Sequence, residues 1–146
     1  LLRGSGGMAA AVAGAFYDAG FRAGTIIARN EDAGTALARR YGYAWAPEPG
    51  DLTAPVIVNV TPIGMSGGAE SEQLAYPQPT IEAASVVFDV VAMPVETPLI
   101  RAARAAGREV ITGGEVIALQ AAEQFRLYTG VTLSPDDIAQ AEAQAN

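Results

Sequence analysis

The 146 residues are half hydrophobic and 17% charged, with a net charge of −7; that suits one domain with a real core and excludes a disordered tail. The absence of any basic run argues against a nucleic-acid surface, and no apolar span reaches the length needed to cross a membrane. Cysteine, histidine and lysine are all missing, which removes disulfides, thiolate and Schiff-base chemistry, Ser-His-Asp catalysis, the commonest zinc ligands and the P-loop lysine.

In chain order, Leu1-Leu2-Arg3 reads as the end of a strand. The turn Gly4-Ser5-Gly6-Gly7-Met8-Ala9 follows it, and a small-residue helix over residues 6–19 comes next. The short apolar stretch 8–16 belongs to that helix and is not read as a signal peptide. Residues 25–28 form a buried strand with Arg29 at its carboxyl end. Asn30 caps a helix that runs to residue 41, and Gly42 ends it. Residues 43–45 make a short strand, and 47–50 a turn. A strong apolar strand spans 56–60, and a Gly- and Pro-rich loop with one helical turn at most spans 62–79. The next strand covers 85–91. Thr97 and Pro98 start a helix that stops at Gly107. A short strand over 109–112 precedes a helix over 115–128, and a last helix opens at Ser134-Pro135-Asp136-Asp137. Apolar strands alternating with helices predict an α/β fold, a Rossmann-type doubly wound parallel sheet in one domain.

The opening turn carries the chemistry. Read as G-x-G-x-x-A, it supplies a glycine for a sharp turn, a second for close approach to a pyrophosphate, and a small residue for packing helix on strand. Amides at the start of the helix then face the anion. Beyond the motif, at the expected strand end, stands Arg29. An acid there would bind the ribose 2′-hydroxyl of NAD; an arginine can pair with the 2′-phosphate of NADP. The alternative for Arg29 is a solvated surface side chain, and the neighbouring Glu31 and Asp32 count against a phosphate. Crevice-lining segments are expected at the other strand ends, from Asn59 to Met65, from Asp89 to Pro94, and at Gly113-Gly114. Each has a purely structural alternative: Thr61-Pro62 as a strand break, Met65 and Met93 as packing, Gln120 as a core amide.

Taken together, four segments in order resemble the cofactor domain of shikimate dehydrogenases, and more closely their divergent shikimate dehydrogenase-like branch. They are the glycine turn, Val58-Asn59-Val60-Thr61-Pro62-Ile63-Gly64-Met65, Phe88-Asp89-Val90-Val91-Ala92-Met93-Pro94-Val95-Glu96-Thr97-Pro98-Leu99, and Gln120-Ala121-Ala122-Glu123-Gln124-Phe125 with Tyr128-Thr129-Gly130. The resemblance implies NADPH-dependent reduction of 3-dehydroshikimate to shikimate, a step toward chorismate and the aromatic amino acids, with NAD as the alternative cofactor. It places the pyrophosphate on Gly4, Ser5, Gly6, Gly7 and Met8, and the 2′-phosphate on Arg29 and Asn30. It places the nicotinamide near Val90 and Gly113 with Thr61 lining the crevice, and makes Gln120 a partner of the hydroxyls of a small shikimate-like acid.

The chain departs from the family pattern at Ala28-Arg29-Asn30, at Ala92 where a tyrosine is usual, and at Gly113-Gly114-Glu115-Val116. The family's catalytic lysine–aspartate pair belongs to an N-terminal domain. The resemblance therefore implies that residues 1–146 are the NADP-binding domain alone, with its first strand truncated, the catalytic domain absent and no catalytic residue of its own. No metal, nucleic-acid or membrane partner is expected, the location is expected to be cytoplasmic, and the isolated chain is expected to be inactive. The rivals are a quinate or related polyol-acid dehydrogenase and a non-catalytic dinucleotide-binding sensor.

Overall fold

A computed structural model describes residues 1–134 and 136–138. Most of the helix predicted from Ser134 onward lies outside these residues. In chain order the elements are β1 (Leu2–Arg3), α1 (Gly7–Asp18), β2 (Thr25–Ile27), α2 (Glu31–Tyr41), β3 (Ala44–Ala46), β4 (Val56–Asn59), α3 (Gln78–Ala83), β5 (Val86–Asp89), α4 (Pro98–Ala105), β6 (Glu109–Ile111) and α5 (Gly113–Thr129). All strand pairs are parallel, in the order β3-β2-β1-β4-β5-β6. The order reverses at β1, which makes this the doubly wound arrangement of dinucleotide-binding folds.

Strand periodicity divides the core between the two faces of the sheet. Leu2, Ile26 and Val58 pack with Ala9, Ala13, Leu37 and Ala38 of α1 and α2. Their strand neighbours Ile27 and Ile57 pack on the other face with Ile81, Leu99 and Ala103 of α3 and α4. Ala9, the small residue of the glycine motif, is buried against the sheet as that motif requires.

The predicted caps form. The Asn30 side chain accepts from Ala33 N–H at 3.0 Å, and Thr97 Oγ1 accepts from Ile100 N–H at 3.1 Å. Gly42 ends α2 in the left-handed conformation, at φ +70°. Two local expectations need correction. Residues 78–83, of which 78 and 79 are expected as the end of a loop and 80–83 carry no predicted element, form α3, with Pro79 in its first turn where a missing N–H costs nothing. Gly113 and Gly114, read as a strand exit, are the first turn of α5. Thr112 caps that helix, its hydroxyl taking Glu115 N–H at 3.3 Å while the Glu115 carboxylate takes Thr112 N–H at 2.6 Å.

Trp45 of β3 packs against Gly34 of α2 and donates its indole N–H to Ala28 C=O at 3.1 Å. Among the described residues no helix is long and apolar enough to cross a membrane.

An apolar cavity of about 560 Å³ opens at the amino ends of β1, β2 and β4, lined by Leu1, Phe16, Phe21, Tyr43 and Val56 among others.

Candidate functional site

The carboxyl ends of β1, β2 and β4 meet at a second cavity of about 210 Å³, lined by Arg3, Gly4, Ser5, Ile27, Ala28, Arg29, Asn30, Pro47 and Thr61. It is smaller and more polar than the cavity at the amino ends, but it lies where a parallel sheet offers helix N-termini and strand exits to a ligand. Five of the predicted residues, Gly4, Ser5, Arg29, Asn30 and Thr61, come together in it.

The glycine turn owes its shape to two different demands. Gly4 sits at φ +133°, and a Cβ there would lie 2.7 Å from Val60 Cγ2; only glycine fits. Its N–H donates to Ile27 C=O at 2.8 Å, fixing the turn to β2. Gly6 and Gly7 have ordinary φ, and a Cβ on either would meet nothing within 4 Å. Their space is open to a ligand and is not needed by the protein. No side chain caps α1, and its first backbone bond runs from Ala10 N–H to Gly6 C=O. The amides of Gly7, Met8 and Ala9 thus have no acceptor in the helix, which is the condition for holding an anion. Met8 is exposed at this helix start.

Arg29 follows β2, as predicted, but it is not a free cation. Its guanidinium donates to both Glu70 carboxylate oxygens, at 3.0 and 3.1 Å, and its Nε lies 3.9 Å from Glu48 Oε1. Hydrogen bonding and attraction from Glu70 raise the Arg29 pKa further. Arg3 Nη2 donates to Glu48 Oε2 at 2.6 Å, and Arg3 Nη1 donates to Ala75 C=O. Arg3, Glu48, Arg29 and Glu70 therefore form a chain of alternating charge along the cavity rim. The carboxylates that meet Arg29 are Glu48 and Glu70; Glu31 and Asp32 stand in the first turn of α2, where acids suit the helix end.

A buried polar network holds Thr61 at the rim. Asn59 and Asp89 are register partners at the ends of β4 and β5, and both are fully buried. Asn59 Nδ2 donates to Asp89 Oδ1 at 3.0 Å and to Ile63 C=O at 3.2 Å. Asn59 Oδ1 accepts from Thr61 N–H at 3.1 Å and from Thr61 Oγ1 at 2.6 Å. Asp89 also accepts from Val91 N–H at 3.1 Å and from Thr97 Oγ1 at 2.7 Å. Burial pushes the Asp89 pKa above the usual carboxylate value, against the lowering effect of Thr97, Val91 and Asn59. The sequence signal for this pair was a polar residue closing each of two apolar strands.

The remaining predicted residues lie apart. Val90 and Gly113 touch each other beyond β5, so closely that a Cβ on Gly113 would collide with the Val90 and Val91 carbonyls. Gln120 lies on α5, exposed; of that helix only Gly113 is buried. Among the described residues no group of three or more acidic side chains could hold a metal ion.

No family model matches the chain. It is 52% identical over 145 residues to the shikimate dehydrogenase-like protein of Haemophilus influenzae, matching 99% of this chain and 54% of that protein. Its backbone superposes on a solved shikimate 5-dehydrogenase-like protein with a TM-score of 0.93 at 53% identity, covering 97% of this chain and 53% of that one. The shikimate 5-dehydrogenase of Thermus thermophilus, solved with NADP(H) and shikimate, gives a TM-score of 0.84 at 30% identity over 99% of this chain and 54% of that one. The quinate dehydrogenase of Corynebacterium glutamicum, solved with NAD, gives 0.81 at 28% identity, covering 97% of this chain and 52% of that one. The chain spans about half the length of the curated relatives it matches along most of its own length.

Proposed function

The chain belongs to the shikimate dehydrogenase family, and on that premise we propose that it is the NADP-binding part of an oxidoreductase acting on a small shikimate-like hydroxy acid. The single observation that carries the reading is the shared cavity of Gly4, Ser5, Arg29, Asn30 and Thr61 beside the acceptor-free amides of α1. Gly6 and Gly7 would leave room for a pyrophosphate to reach the backbone, and Arg29 and Asn30, which line the same cavity, would meet a ribose phosphate. At about 210 Å³ the cavity suits one end of such a cofactor and not the whole. Val90 and Gly113 would then border the nicotinamide.

The bound nicotinamide supplies hydride exchange with a substrate carbon. The work of this chain's residues is to bind and orient. The helix amides neutralise the diphosphate, Arg29 selects the 2′-phosphate, and the Asn59–Asp89 network fixes Thr61 at the rim. The chain has no lysine and no histidine, so the proton for an alkoxide and the grip on the acid would come from the half of the family protein that it does not match. We propose that residues 1–146 bind NADPH and turn nothing over.

Calorimetric titration tests this. NADPH should bind saturably, and Arg29→Ala should weaken NADPH by about tenfold or more while leaving NADH within about twofold. No saturable heat from a folded sample would overturn the reading, and shikimate oxidation by the chain alone would overturn its division of labour. A second reading, an NAD-dependent quinate-type dehydrogenase, is favoured by one observation, the engagement of Arg29 by Glu70. Tighter binding of NADH than of NADPH would favour it.

A further inference from the structure

We infer that Glu70 sets the nucleotide preference of this site by occupying the guanidinium that a 2′-phosphate needs. The inference rests on the proposal that Arg29 meets that phosphate, and it adds a determinant from a different part of the chain. Glu70 lies 41 residues beyond Arg29, in the loop between β4 and α3. That loop is built to present it. The Glu70 carbonyl accepts from Gly64 N–H at 3.0 Å and from Gln73 N–H at 3.1 Å, and Ser66 N–H ties the same loop to Met93 C=O at 2.8 Å.

The contact is two-pronged, with both carboxylate oxygens on one guanidinium nitrogen at 3.0 and 3.1 Å. It is also the charge that a phosphate must displace. A carboxylate and a phosphate dianion compete for the same donor and repel each other at that range. Glu48 cannot serve as the competitor to the same degree. It stands 3.9 Å from Arg29 Nε and is already held at 2.6 Å by Arg3. Adenosine nucleotides without the extra phosphate place no anion on Arg29, so Glu70 costs them nothing. The two glutamates offset the charge of the two arginines, so the rim as found carries no net charge for a phosphate to neutralise. A neutral residue at position 70 would leave Arg29 uncompensated on that side.

Glu70→Gln tests the inference, with Glu70→Ala as a second variant that removes the side chain's hydrogen bonding as well. Calorimetric titrations with NADPH and with NADH are run on the 146-residue chain, each variant first checked for a cooperative thermal transition. NADPH should tighten by about fivefold or more in both variants while NADH stays within about twofold. In an Arg29→Ala background, Glu70→Gln should tighten NADPH less than it does in the parent and leave NADH unchanged, because the competition for that guanidinium is gone and only the relief of direct repulsion remains. NADPH affinity unchanged or weakened by both variants, or both nucleotides tightened equally, would overturn the inference and leave the proposed function standing. Absence of saturable NADPH binding in the parent chain and every variant would overturn the proposed function itself.

Discussion

Gly4→Ala should destabilise the chain by about 2–6 kcal/mol, whereas Gly6→Ala should barely move stability and yet abolish nucleotide binding. The two glycines stand two residues apart and answer to different forces. At Gly4 the backbone lies at φ +133°, and the added carbon would approach Val60 Cγ2 to 2.7 Å. Strain of about 1–3 kcal/mol at such a φ adds to roughly 1–3 kcal/mol for crowding a packed site. At Gly6, the residue before α1, φ is −82° and a Cβ meets nothing within 4 Å. Losing glycine there costs at most about 1 kcal/mol of capping, but the methyl group fills the approach to the helix amides. Chemical denaturation and NADPH titration of both variants check the pair. A Gly6→Ala chain that binds NADPH like the parent would remove the pyrophosphate from the α1 terminus.

Asp89→Ala should cost about 2–4 kcal/mol, because it strands three buried donors at once: Asn59 Nδ2, Thr97 Oγ1 and Val91 N–H. Asp89→Asn should be far milder, since an amide oxygen can still accept from Val91 and Asn59. The pH dependence separates charge from shape. The Asp89 pKa is raised in the folded state from 3.8, so the parent chain loses stability from this group as pH rises through the folded value. Relative to the parent, Asp89→Asn should therefore improve from pH 3 toward neutrality. Urea unfolding at several pH values reads this directly, and a relative stability that worsens over that range would show that Asp89 is stabilised by its charge.

What the sequence displayed was local. Asn30 and Thr97 declared their helices because a cap needs only three residues of reach. The glycine turn and the position of Arg29 followed from spacing along one βα unit. What stayed hidden was contact between distant segments. Glu48 and Glu70 come 19 and 41 residues after Arg29 in the sequence, and only the tertiary fold brings them to it. The Asn59–Asp89 pairing needed the β4–β5 register. Helix α3 was masked by Pro77 and Pro79, which read as breakers until the fold shows them at a helix start, where proline is tolerated. Gly113 and Gly114 looked like a strand exit because their glycine signal outweighed the Thr112–Glu115 capping box.

The side chain of Trp45, held against Gly34 and hydrogen-bonded to the carbonyl of Ala28, is the sole indole in the sequence. Ala28 lines the same cavity as Arg29. The protein therefore carries a built-in optical reporter hydrogen-bonded to the residue that precedes Arg29. Its ultraviolet emission overlaps the absorption of a reduced nicotinamide, so resonance energy transfer would register occupancy without any label. A shift in its wavelength with oxidised nucleotide, which absorbs no such light, would report instead on movement of the β2–β3 edge.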